Sequence, residues 1–183
     1  MPPHQELAAL LAQRSARRGD FVLASGRRSN LYVDARLTTM SPDGLVLTGR
    51  LGLDAIREAG WQVDAVGGMT LGADPISYAI AFTSQLDGSP LRAFTVRKAA
   101  KQHGTGKRVE GPFESGDRVV VVEDVITTGG SARDAILAIR EAGGVPVGVL
   151  AVVDRQEGGR EVLEAEGLPV VSLTTAAEIL ELL

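Results

Sequence analysis

Short apolar runs alternate along this chain with longer stretches in which apolar positions recur every third or fourth residue. That alternation predicts strands and helices in turn, and hence an α/β fold with a parallel sheet flanked by helices on both faces. Four consecutive valines at 119–122, followed by Val125 and Ile126, read as a strand over 119–126 buried on both faces. Further strands are predicted at 63–66, 91–96, 146–153 and 169–173, with short ones at 21–23 and 31–34. Helical spacing covers 5–18, 42–58, 74–83, a segment starting near Ala132, 160–166 and the C-terminal residues. Ser41, Pro42 and Asp43 supply a capping hydroxyl, a first-turn proline and a first-turn acid. Thr175 and Glu178 have the spacing of a capping box. Residues 67–73 and 97–116 are left as loops.

The chain has 183 residues, 44% of them apolar and 23% charged, which predicts one globular domain over 1–183. Residues about 1–40 and the C-terminal region are expected to form a small hood over the strand ends. There is no cysteine, so disulfides and thiolate metal sites are excluded and a cytoplasmic setting is expected. No apolar stretch is long enough for a membrane span, and the N-terminus lacks the regions of a signal peptide. The net charge of −4 argues against a general nucleic-acid partner and makes any local basic cluster more informative.

Chemistry concentrates in EDVITTGGS at 123–131. Its order, strand end, acid pair, hydroxyl and glycine turn, then helix start, suits a phosphorylated sugar. Free N–H groups and the dipole of the helix attract a phosphate. The glycines let the backbone curl round the anion, and Thr127, Thr128 and Ser131 can donate to it. Glu123 and Asp124 would repel a phosphate, so they should face ribose hydroxyls or a cation. No lysine follows the glycines and G-x-G-x-x-G is missing, which sets the segment apart from the P-loop and dinucleotide patterns. A second cluster is the loop RKAAKQHGTGKR at 97–108, with six potential cations and no acid before Glu110. It reads either as a solvated charged surface or as a basic lid stabilising a departing anion.

The 119–132 segment resembles the PRPP-binding signature of the type I phosphoribosyltransferases. The resemblance implies a type I phosphoribosyltransferase-like sheet, and PRPP binding by Glu123, Asp124, Val125, Ile126, Thr127, Thr128, Gly129, Gly130 and Ser131. The lid pattern R-K-x-x-K-x-H-G is similar to that of the orotate phosphoribosyltransferases, which implies Arg97, Lys98, Lys101 and His103 as further PRPP-binding residues. Lys101, His103 and Asp124 are then the catalytic set, with the lid acting across a homodimer.

Three other segments follow the same family in order. Residues 23–36 resemble its orotate loop, implying Arg27 and Tyr32 beside the base. Ala24 stands where many members have lysine, so Arg27 or Arg28 is expected to compensate. As alternatives, the stretch is a plain hairpin turn and Tyr32 packs. GMTLGADP at 68–75 occupies the pyrophosphate loop, with Leu71-Gly72 where a Tyr-Lys pair is common. Arg155 at the end of strand 146–153 is implied as an orotate-carboxylate ligand, against the alternative of an ion pair with Asp154 or Glu157. Thr127 is implied to touch the base.

Together these imply a Mg²⁺-dependent orotate phosphoribosyltransferase making orotidine 5′-monophosphate and pyrophosphate in de novo pyrimidine (UMP) biosynthesis. Mg²⁺ would be held mainly by PRPP and water, with no dedicated protein ligands. Two alternatives stay open: transfer to a purine or uracil, and a non-catalytic PRPP- or nucleotide-sensing regulator.

Overall fold

A computed structural model describes residues 2–22, 28–99 and 107–183. In chain order the elements are α1 (Pro3–Arg14), β1 (Ala16–Val22), β2 (Arg28–Val33), α2 (Arg36–Thr39), α3 (Pro42–Glu58), β3 (Ala65–Met69), α4 (Ala73–Leu86) and β4 (Arg92–Val96). They continue as β5 (Val109–Glu110), β6 (Arg118–Ile126), α5 (Gly130–Glu141), β7 (Val145–Asp154), α6 (Gly159–Ala165), β8 (Val170–Thr175) and α7 (Ala176–Glu181). Six strands form one sheet in the order β5-β4-β3-β6-β7-β8, parallel except for β5, which runs antiparallel at the edge. β1 and β2 form a separate antiparallel hairpin.

The valines of β6 explain the layering. Val120 and Val122 face the core shared with α1, α3 and α4, while Val119 and Val121 face the one shared with α5 and α6. All four are fully buried, as a strand covered on both faces requires. The Ser41 cap and the Thr175–Glu178 capping box form as expected.

The structure corrects several expected boundaries. The helix expected over 5–18 stops at Arg14, because Ala16, Arg17 and Arg18 pair with Val33, Tyr32 and Leu31 in the hairpin. Ser15 closes α1, its Oγ 2.7 Å from Thr38 Oγ1 in the interior. His4 belongs to α1, its Nδ1 3.1 Å from the Leu173 carbonyl oxygen and within hydrogen-bond range. With Arg18 donating to the Leu180 carbonyl at 2.8 Å, it ties the N-terminal segment to the C-terminal one. The loop expected over 67–73 is partly strand: β3 runs through Gly67 and Gly68 to Met69. The long loop over 97–116 contains β5, and the short helix α2 was not expected.

β3 carries two glycines because its neighbours leave no room for side chains. A Cβ on Gly68 would run into the Val122 carbonyl of β6, and one on Gly67 into Phe94 of β4. Gly68→Ala is therefore expected to destabilise the fold by about 1–3 kcal/mol, the range typical of overpacking. Urea denaturation checks this, and an unchanged midpoint would mean that β3 and β6 are not so closely packed.

Candidate active site

From β3 the chain steps outward to β4, then returns on the other side of β3 as β6. Connections leaving the carboxyl ends of β3 and β6 therefore diverge and leave a crevice between them. A cavity of about 290 Å³ lies there. One wall is Glu123, Asp124 and Val125 of β6, with Ser131 beyond them. Thr70, Leu71 and Gly72 from the loop after β3 form the second wall, with the Thr70–Leu71 peptide cis. Tyr32, Arg36 and Lys98 close the rim.

Glu123 sits within the ladder opposite Ala151 and is 6% exposed. Burial, and then the charge of Asp124, hold its carboxyl well above the usual carboxylate range. The Asp124 carboxylate accepts a hydrogen bond from Val125 N at 2.9 Å and lies directly against Gly72. A Cβ at Gly72 would stand 2.5 Å from three atoms of that carboxyl group, so the loop after β3 can approach the acid only with glycine there.

The glycine turn expected to hold a phosphate follows at once. Gly129 caps α5 in the left-handed region at φ 80°, a conformation glycine adopts without steric cost. Gly159, at the start of α6, backs the turn so closely that a Cβ would meet the Thr127 carbonyl at 2.5 Å and Gly129 N at 2.7 Å. Thr128, Gly130 and Ser131 are exposed at the N-terminal end of α5 and Thr127 is half-buried, so unpaired helix N–H groups and hydroxyls face outward together. Ile126 points the other way, into the core of α5 and α6, so its side chain supports the turn and does not enter the cavity.

The remaining expected residues lie at different distances from this centre. Lys101, His103 and Arg27 lie outside the described residues. Arg97 is exposed and pairs with Glu110 at 3.1 Å. The residues flanking the segment expected to form a lid meet: Arg97 N donates to the Arg108 carbonyl at 2.8 Å, and Arg108 grips Asp134 of α5 at 3.1 and 2.7 Å. Arg28, offered by the sequence as a compensating cation, points outward beside Asp20 at 3.5 Å and does not line the cavity. Tyr32 does line it, with its ring 5.6 Å from that of Phe21. Arg155 is buried outside the cavity lining, where Nη2 donates to Ser29 Oγ at 2.7 Å and the Leu31 carbonyl at 2.9 Å of β2. It also forms an ion pair with the partly buried Glu157 at 3.0 Å. Arg36 was not singled out by the sequence, although an acid and an arginine two residues apart just after a strand is a readable clue.

A larger hollow of about 770 Å³ adjoins the first, over the end of β4, and shares Thr70 and Lys98 with it. It has neither the acid pair nor the glycine turn, so the residues expected to carry the chemistry gather at the smaller cavity.

No protein-family model matches the chain. It is 47% identical over 183 residues to the orotate phosphoribosyltransferase of Aquifex aeolicus, spanning 98% of this chain and 99% of that protein. The Rhodopirellula baltica enzyme of the same name is 45% identical over 173 residues, with 92% and 90% covered. Among solved structures, the Mycobacterium tuberculosis orotate phosphoribosyltransferase in complex with PRPP matches with a TM-score of 0.81 at 42% identity, over 97% of this chain and 99% of that one. Adenine phosphoribosyltransferase from Saccharomyces cerevisiae matches with a TM-score of 0.69 at 20% identity, a likeness of fold alone.

The position of Glu123 sets a pH signature. Its folded-state pKa is raised above the unfolded value, so its contribution to stability is fully present below the unfolded value and lost as pH rises through the folded one. Glu123→Gln should match the parent near pH 4 and be the more stable protein at alkaline pH, its melting temperature higher by roughly 2–4 °C per kcal/mol relieved. A variant less stable than the parent at every pH would show that the carboxylate is stabilised where it sits.

Proposed function

This chain belongs to the orotate phosphoribosyltransferase family, and we propose that its switch-point cavity transfers the 5-phosphoribosyl group of PRPP to a ring nitrogen of orotate, yielding orotidine 5′-monophosphate and pyrophosphate. The observation that carries this reading is the continuous run from an acid pair facing the cavity to a glycine turn at a helix N-terminus, hydroxyl recognition followed at once by phosphate recognition.

In this reading Glu123 and Asp124 receive the ribose hydroxyls, and the turn from Thr127 to Ser131 clamps the 5-phosphate. As the bond to the leaving group lengthens, positive charge grows on the sugar and negative charge on the diphosphate. Asp124 lies beside the first charge. Lys98 at the rim, with Arg97, Lys101 and His103 of the lid, serves the second, and Lys101 or His103 stabilises or protonates the leaving group. Arg155 takes the orotate carboxylate, its side chain already fixed by Ser29 and Leu31, with Arg27, Tyr32 and Thr127 round the base. Mg²⁺ fits the oxygen donors of this cavity as the companion of PRPP: carboxylates at the ribose position suit an ion that keeps mostly phosphate and water oxygens. Bound there, it would supply charge neutralisation to the diphosphate.

A homodimer is part of the proposal. Tyr78, Phe82 and Leu86 recur every four residues along α4 and are 52%, 68% and 74% exposed, an apolar stripe of the kind a second copy would cover. The stripe borders the larger hollow into which Arg97 and Lys98 project, so a partner seated on it would lie next to the lid. We place the reaction in de novo pyrimidine biosynthesis, in the cytoplasm. Among the described residues, no helix is long and apolar enough to cross a membrane.

Orotate absorbance, followed with PRPP and Mg²⁺ present and each omitted in turn, tests the transfer. Loss of orotate only in the complete mixture, with pyrophosphate released, is expected. Turnover of uracil or hypoxanthine in place of orotate would contradict the assigned base. Lys101→Ala should lower kcat by roughly 100-fold or more while the Kd for PRPP changes by less than about 5-fold. Equal losses in both would reduce Lys101 to a ground-state contact.

A further inference from the structure

We propose that Arg36, locked in place by Asp34, is the fixed cation that receives the diphosphate end of PRPP. This rests on the transfer reading above and adds to it a residue that neither the lid nor the PRPP-like segment contains.

The direction of the bound molecule follows from the walls. With the 5-phosphate at Thr127–Ser131 and the ribose at Glu123 and Asp124, the leaving group must extend from Asp124 towards Thr70, Leu71 and Gly72. That loop brings no cation: within 68–75 the sole charged residue is Asp74. Asp74 is itself engaged by the hydroxyls of Thr70 and Thr95, at 2.7 and 2.9 Å. Nor is there room for a long side chain at position 72, because Asp124 fills the space a Cβ would need. The loop and the acid pair thus make two walls of a cavity meant for a polyanion without a positive side chain on either. Compensation must come from the rim.

Arg36 stands there. It lines the cavity with Leu71, Gly72 and Asp124, and it shares a neighbouring hollow with Leu71, so it stands beside the loop after β3. Asp34 holds it in a paired geometry, with Nε donating to Oδ1 at 2.8 Å and Nη2 to Oδ2 at 2.9 Å. The Arg36 backbone N–H also donates to Oδ1, at 3.2 Å. This uses two of the five guanidinium N–H groups and turns the others away from Asp34. The side chain is 44% exposed, so those donors are accessible to a ligand. The charge is secured first by the Asp34 hydrogen bond and charge, and Asp124 adds to it from across the cavity. A planar fork held by a carboxylate is suited to paired hydrogen bonds with phosphate oxygens. Lys98 occupies the rim at the root of the lid, whereas Arg36 is built into the body of the protein and would be in place whatever the lid does.

Arg36→Ala, Arg36→Lys and Asp34→Asn test the assignment, with calorimetric titration of pyrophosphate, PRPP and ribose 5-phosphate, each with Mg²⁺, into the folded proteins. Arg36→Ala should weaken pyrophosphate and PRPP by roughly 10- to 100-fold while ribose 5-phosphate, which lacks the diphosphate, stays within about 2-fold. Arg36→Lys should recover only part of the loss, and Asp34→Asn should fall between the parent and Arg36→Ala. KM for PRPP should rise in parallel, with KM for orotate within about 2-fold of the parent. Unchanged pyrophosphate affinity in Arg36→Ala overturns the proposal, as does an equal loss for ribose 5-phosphate, which would signal a general structural effect. If Arg36→Ala does not fold, the comparison of Arg36→Lys with the parent decides by the same two ligands. Failure of the parent protein to turn over orotate would strike at the transfer reading instead, which separates the two.

Discussion

Where β3 lies against β6 the order of the strands reverses, and the two backbones approach so closely that Gly68 cannot bear a side chain. Everything around the cavity depends on that contact. It brings the loop at 70–72 within reach of the acids that end β6, and it leaves the crevice uncovered because the following segments run in opposite directions. Helices α4 and α5, which leave the two strands, fall on opposite faces of the sheet and stabilise the arrangement by burying Val120 and Val122 on one side and Val119 and Val121 on the other. The hydrophobic layers thus hold rigid the strand ends that carry the chemistry, as a site meant to position a substrate within a fraction of an ångström requires.

Among the described residues, the floor of the cavity carries two acids with no cation set directly against them. Glu123 and Asp124 are adjacent, Glu123 is buried, and no cation pairs directly with either among the described contacts. Such an arrangement costs stability and persists in a protein when function requires it. The balancing charges lie on the rim: Arg36, set by Asp34, and Lys98. This separation of acids on the floor from cations on the rim suits a reaction that develops positive charge on a sugar and negative charge on its leaving group.

Much of this was legible in the sequence. The four valines, the acid pair and the TTGGS turn announce strand, turn and helix start in order, because a doubly buried strand and a glycine turn into a helix each impose a narrow composition. Capping residues Ser41 and Thr175 placed helix starts correctly for the same local reason. What could not be read was set by neighbours distant in sequence. Gly67 and Gly68 look like loop residues, and only the flanking strands explain them as strand. Arg17 and Arg18 fit a helical continuation until pairing with Tyr32 and Leu31 claims them for the hairpin. Arg155 reads from the sequence as either a ligand contact or an ion pair with Asp154 or Glu157; the pair with Glu157 forms, though the arginine is buried against Ser29 and Leu31 and not at the surface. Asp34 is a local clue to Arg36, but a single charged pair of that spacing does not by itself mark a site. The meaning of Arg36 comes from the acid two residues before it and from Gly72, which the fold sets opposite.

The account turns on the orientation of PRPP across the contact between β3 and β6, and the most direct measurement is a crystal structure of the protein with PRPP and Mg²⁺. The 5-phosphate should lie on the backbone N–H groups of the turn from Thr127 to Ser131, with the ribose hydroxyls on Glu123 and Asp124 and the diphosphate between Arg36 and the loop at 70–72. A PRPP molecule seated instead in the larger hollow over β4, or reversed so that its diphosphate occupies the turn, would contradict it.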